Sequence, residues 1–187
     1  DISSNVRFKG GIISGAGNDG IDLMSTTAVI EGMILAGNKD KGISVGEATD
    51  ILVKNTRLEG NVIGIESKDG SLARVEYVDF VGNKIQINAY KKNWQYGDGG
   101  YIFLSKSKLL NNDIDARAEK YSEIHIFDSF VEQEKSGKRV DYYKVDASMK
   151  DVAIEKDWLP ESLLSKESVT EVLSHVLPEE IGRIRSN

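Results

Sequence analysis

The chain contains no cysteine, which excludes disulfide bridges and thiolate metal centres and leaves its compartment open. No apolar run is long enough to span a bilayer as a helix. Positive charge is also short: 24 lysines and arginines stand against 30 aspartates and glutamates, a net charge of -6. A basic footprint for nucleic acid is therefore missing, and a mildly acidic, soluble surface is expected. No ten-residue helical pattern occurs between residues 6 and 134. At 187 residues the chain is nonetheless long enough for one domain with its own core.

What is present is repetition. The phrases Gly20-Ile21-Asp22-Leu23, Gly42-Ile43-Ser44-Val45, Gly64-Ile65-Glu66-Ser67 and Gln86-Ile87-Asn88-Ala89 return every 22 residues. Between them runs an eleven-residue phrase, at 28–38, 51–61 and 73–83. Its third place holds Ile30, Val53 or Val75, its eighth Leu35, Leu58 or Phe80, and it closes on Gly-Asn. Weaker copies at 6–16, 102–112 and 124–134 bring the number to six. A fixed period of this length marks a solenoid, whose units bury their apolar faces only by stacking on one another. Ile21 and Leu23 alternate with Asp22, as Ile43 and Val45 do with Ser44, so the pieces are strands. Gly and Asn punctuate the corners, where left-handed backbone is needed. Without a helical segment in the unit, leucine-rich, ankyrin and tetratricopeptide architectures are excluded.

On these residues, from about Val6 to Glu134, the chain resembles the right-handed parallel β-helix proteins of the pectate-lyase-like superfamily. The resemblance implies an all-β solenoid of about six to seven 22-residue coils. The expected organisation is a parallel β-helix over 1–150 and a C-terminal helical capping segment over 151–187. A first coil that begins at Val6 with no cap before it presents an open edge. We therefore expect a piece of a longer protein, or a cover from outside the chain. Lys41 to Glu47, Ile63 to Asp69 and Ile87 to Asn93, with Tyr96-Gly97, are also similar to a β-helix module of bacterial cell-surface proteins, some of them CotH-associated. That likeness implies an accessory module of an exported protein, extracellular or on the cell surface. The fold hosts many functions, so any activity must be argued from the site.

Successive coils rise by one strand spacing, about 4.8 Å, so equivalent positions form files along the solenoid. Directly after each inward isoleucine stands Asp22, Ser44, Glu66 or Asn88, and two places further Met24, Gly46, Lys68 or Tyr90. The next file is Ser25, Glu47, Asp69 and Lys91. Glu47, Glu66, Lys68, Asp69, Tyr90 and Lys91 thus share one face over coils two to four. Such a mix suits a sugar polymer or a cation, with Ca²⁺ the only cofactor these residue types suggest. The first alternative to set beside it is a solvated face on which stacked opposite charges, such as Asp69 and Lys91, tie coils together.

Leu104 follows Val75 by 29 residues, so about seven are inserted within Lys91-Lys-Asn-Trp-Gln-Tyr-Gly-Asp-Gly-Gly100. Insertions on a solenoid collect on its binding face, and Trp94 and Tyr96 suit the C–H face of a sugar. The other expectation is a loop folded onto the wall with Trp94 as its anchor. Gly15 to Gly20 is followed by a strand and reads as a turn, not a phosphate cradle. His125, pointing away from Ile124 and Ile126, is expected at the surface. Lys135 to Arg139 reads as a turn and 140–145 as a degraded coil. Ser168-Val-Thr-Glu171, with Val169, Val172, Leu173 and Val176 before Pro178, reads as a capped amphipathic helix, either a plug over the stack or a docking segment.

Hydrolases of the superfamily carry Asn-Thr-Asp, Asp-Asp, Gly-His-Gly and Arg-Ile-Lys phrases, and its lyases an aspartate cluster for Ca²⁺ with an arginine base. Neither set stands in coils two to five. Two functions follow. The first is a scaffold or glycan-binding unit, with Asp22, Glu66, Tyr90, Trp94 and Tyr96 as contacts. Its partners are a polysaccharide or other domains of the same longer chain. The second is a lyase, epimerase or hydrolase for acidic glycans. There Lys68 or Lys91 would take the proton α to a uronate carboxylate while Glu47 and Asp69 hold a cation.

Overall fold

A computed structural model describes residues 5–119 and 121–132, and the backbone of 138–145. The helical cap expected over 151–187 lies outside the described residues. The strands are β1 (Asn5–Ser14), β2 (Ile21–Met24), β3 (Thr27–Ala36), β4 (Lys41–Gly46), β5 (Asp50–Lys54), β6 (Arg57–Glu59), β7 (Ile63–Lys68) and β8 (Leu72–Glu76). They continue with β9 (Asp79–Val81), β10 (Ile85–Tyr90), β11 (Tyr101–Ser105), β12 (Lys108–Leu110), β13 (Ile114–Ala118), β14 (Glu123–Val131) and β15 (Lys138–Val145). Their pairing makes an all-β parallel solenoid of about six turns. One sheet runs β13-β10-β7-β4-β2. The other two ladders merge into a second sheet, because the long strands β1, β3 and β14 pass through both.

The register settles the periodicity. Ile21, Ile43, Ile65 and Ile87 pair in one file that ends on Ala116. Phe8, Ile30, Val53, Val75, Leu104 and Ile126 make a second file. Ile13, Leu35, Leu58, Phe80, Leu109 and Val131 make a third. These files form one continuous core, and most of their members are fully buried. At about 1.5–3 kcal/mol for each large side chain removed from water, the core is the main driving force for coiling. The insertion expected after Tyr90 is absorbed without loss of register, since Val75 pairs with Leu104 across it.

The Gly-Asn close of each phrase divides its labour. Gly15, Gly37, Gly60 and Gly82 have φ between 61° and 67°, and Asn111 continues the file at 52°. The asparagines that follow do not take the left-handed corners the sequence suggested. Asn38, Asn61 and Asn83 are buried and hydrogen-bonded to one another up the stack. Buried amides need partners, and a file of identical side chains supplies each with the next.

Three further expectations are corrected. Residues 140–145 are not a degraded coil: β15 pairs antiparallel with β14, so the parallel winding stops there. Lys138 and Arg139, read as part of a turn, belong to that strand, and 133–137 lie outside the described residues. His125 is not at the surface but fully buried. It faces away from the core, yet its ring stacks on Phe103 with centroids 4.8 Å apart, and its Nε2 lies 2.6 Å from Glu123 Oε2. The register puts Phe103 and His125 side by side, and Lys144 pairs with His125 on the other flank, so the strand is no longer an open edge.

Candidate functional site

Alternation along β4, β7 and β10 sends Ser44, Glu66 and Asn88 to the outer side of their ladder, in register with Asp22 before them and Arg117 after. A fully solvated face would leave the whole file exposed, but only Asp22 is; Ser44, Glu66 and Asn88 are buried. Long neighbours reach across the short distance between coils. Lys68 Nζ donates to Ser44 Oγ at 2.7 Å and lies 3.8 Å from Glu66 Oε1. Lys41 Nζ lies 3.7 Å from the same oxygen. Asn88 donates to Glu66 Oε2 at 2.8 Å, and Arg117 Nε donates to Asn88 Oδ1 at 2.8 Å. Glu66 Oε1 itself is buried without a hydrogen-bond partner. Gly46 leaves room for this arrangement, because a Cβ there would come 2.9 Å from Lys68 Cε.

Electrostatics tie the cluster together. Burial alone would pull the pKa of Lys41 down, but its hydrogen bond to Asp40 and the carboxylates of Glu66 and Asp19 outweigh that and hold it above the ordinary lysine value. Burial, reinforced by the negative charge of Glu66, pushes the Tyr90 hydroxyl up to about 12. Tyr90 therefore stays neutral, between Glu66 and the corner where Asp69 stands.

That corner is built differently. Ser25, Glu47 and Asp69 all have positive φ, at 47°, 57° and 56°. They occupy left-handed turn positions directly after β2, β4 and β7. Asp69 is buried, and its Oδ1 accepts the backbone amides of Lys92 and Asn93, each at 2.7 Å. Its carboxylate thus takes the inserted loop and not the ammonium of Lys91, which donates to Gly97 O at 2.8 Å and lies 4.9 Å from the centre of the Tyr121 ring. The pKa of Tyr96 is raised by desolvation and by the charges of Glu47 and Asp69 nearby. Trp94 is not the anchor of the loop: it is 84% exposed.

Of the residues singled out from the sequence, the structure gathers Glu47, Asp69, Lys91, Trp94 and Tyr96 around the loop 91–100, and Glu66, Lys68 and Tyr90 beside it. Asp22 stays apart at the exposed start of its file. Sequence reasoning missed Lys41, Arg117 and Tyr121. Arg117 was within reach, since it follows Asn88 by the same 29 residues that separate Val75 from Leu104. Of the proposed cation pair, Asp69 has its partners in the loop, and Glu47 lies near Tyr96 of that loop. Among the described residues no group of three or more histidines and carboxylates is placed to hold a metal ion. Nor is any helix among them long and apolar enough to cross a membrane.

A family model described as "Right handed beta helix region" matches residues 1–115. No curated protein and no solved structure matches the chain.

Proposed function

Because the chain belongs to the right-handed β-helix family, we propose that it is a carbohydrate-associated module in which the solenoid is the scaffold and the loop 91–100 the contact surface for a polysaccharide. The observation that carries this reading is Trp94: a large aromatic side chain, 84% exposed, on a loop whose stems are tied to the coils beneath it. Indole rings are normally well buried, and an exposed one suits the apolar face of a sugar ring, which gains from leaving water while its hydroxyls stay wet. The likeness to cell-surface modules supports placing it in a larger exported bacterial protein, with other domains of that chain as its neighbours.

The alternative is an enzyme for acidic glycans, and it rests on Lys68, an amine buried among Ser44 and Glu66. Such an enzyme would need Lys68 to reach a bound uronate, whereas its side chain is buried and its amine is turned onto Ser44 Oγ at 2.7 Å. Binding is therefore the better supported reading. Affinity electrophoresis against a panel of soluble polysaccharides tests it. Retardation by at least one polymer, lost in Trp94→Ala, is the expected result. Retardation unchanged in that variant would overturn it, and unsaturated uronate product appearing on incubation would replace it with the enzyme.

A further inference from the structure

We infer that Asp69-Gly70 is a clasp that holds the loop 91–100 in its binding-ready form, and that the ligand this loop takes is a neutral glycan, not a uronate polymer. The inference rests on the glycan reading for its ligand, but the clasp stands on geometry alone.

The dipeptide grips both stems of the loop from the coil below. At the first stem, Asp69 Oδ1 receives the successive amides of Lys92 and Asn93, both at 2.7 Å. At the second stem, the amide of Gly70 donates to Gly99 O at 2.6 Å. Two glycines let that stem lie flat: a Cβ on Gly99 would come 1.9 Å from Ser122 Oγ, and one on Gly100 1.9 Å from Ser67 O. Inside the loop, Gln95 N donates to Asn93 Oδ1 at 3.1 Å and Tyr96 N to Asn93 O at 3.3 Å. Trp94 is thus carried at the tip of a short, internally bonded turn. A contact held in place before binding loses less freedom on binding.

The same bonds decide the ligand. The charges that first suggested an acidic sugar are already used by the loop itself. Asp69 takes two amides, Lys91 takes Gly97 O and the Tyr121 ring, and Glu47 lies near enough to Tyr96 for its charge to act on that hydroxyl. At the tip the exposed residues are Lys92, Trp94, Gln95, Gly97 and Asp98, whose one positive and one negative charge cancel. A surface of that kind recognises an apolar ring face and neutral hydroxyls. Asp69 is then a positioning residue and touches no ligand.

The test uses the full chain carrying Trp158→Phe, so that Trp94 is the only tryptophan. Asp69→Gly removes the carboxylate while tolerating the positive φ, and Asp69→Asn keeps an oxygen in its place. Trp94 fluorescence anisotropy and exchange of the loop amides read the clasp without any ligand. Affinity for neutral and uronate polymers, at low and high salt, reads the ligand. We expect Asp69→Gly to lower the anisotropy, to speed exchange at Lys92 and Asn93, and to weaken binding of a neutral polymer about tenfold. Asp69→Asn restores most of each, and salt changes the affinity less than about twofold. Unchanged anisotropy and exchange in a folded Asp69→Gly protein would overturn the clasp. Preference for uronate polymers with binding lost in salt would overturn the ligand. Absence of binding to any polymer would overturn the glycan reading and the assigned ligand together, with the ligand-free measurements still deciding the clasp.

Discussion

Asn83 accepts at its side-chain oxygen both the backbone amide and the side-chain amide of Asn61, each at 2.9 Å. Asn61 does the same for Asn38, at 3.0 and 2.9 Å, and also donates to Leu35 O at 3.0 Å. Substituting Asn61→Leu keeps the volume roughly constant but strands the donors of Asn38 and the carbonyl of Leu35 in a site closed to water. With about 1–3 kcal/mol for each buried polar group left unpaired, we expect a loss of about 2–4 kcal/mol in equilibrium urea unfolding. A loss below about 1 kcal/mol would show that the ladder is incidental to stability.

Close approach of coils predicts a second asymmetry. A Cβ added at Gly64 would sit 2.5 Å from Gln86 O and 2.8 Å from Phe80 Cδ1. The first of these is backbone of the next coil and cannot swing aside. Gly64→Ala should cost at least about 2 kcal/mol. Gly97→Ala, where nothing lies within 4 Å, should change stability by less than about 0.5 kcal/mol. Thermal unfolding of the two variants in parallel measures the contrast.

The core was legible in the sequence because stacking makes one period do two jobs. Ile21, Ile43, Ile65 and Ile87 recur at the spacing that also sets their register, so reading the interval amounts to reading the pairing. The fate of outward residues was not legible by the same route. Asp22, Ser44 and Glu66 share a file and a direction, yet only Asp22 is exposed, because burial there depends on where Lys41 and Lys68 lay their stems. The role of Asp69 was hidden for a related reason. Its partners are backbone amides of an insertion, and an insertion carries no period from which to infer contact.

Asp50 makes stability depend on pH. Burial, offset in part by Arg74, pushes its carboxyl up to about 6 from 3.8. The folded chain then holds this proton where the unfolded chain releases it. The contribution is fully present below about pH 4 and is lost as pH rises through about 6. For a partly exposed group we expect the protein to be about 1–2 kcal/mol less stable at pH 8 than at pH 4.5 from this source. Since other groups titrate too, the measurable quantity is the difference between the wild type and Asp50→Asn in denaturant unfolding across that range. A difference independent of pH would remove the assignment.

Glu66 and Trp94 should separate stability from binding. Glu66 is 3% exposed, with Lys41 and Lys68 at 3.7 and 3.8 Å from an oxygen that accepts no hydrogen bond. Glu66→Gln keeps the acceptor for Asn88 but removes the charge between the two ammonium groups. Stripping one partner from a buried ion pair can cost about 3–5 kcal/mol. The two lysines, however, retain Asp40, Asp19 and Ser44. We therefore expect about 1–2 kcal/mol, against less than about 0.5 kcal/mol for the exposed Asp22→Asn in the same file. Glycan affinity should move the other way: Trp94→Ala abolishes retardation with little change in unfolding, whereas Glu66→Gln leaves retardation within about twofold. A Glu66→Gln protein that unfolds like the wild type but no longer binds would move the contact surface from the loop to the face of β4, β7 and β10.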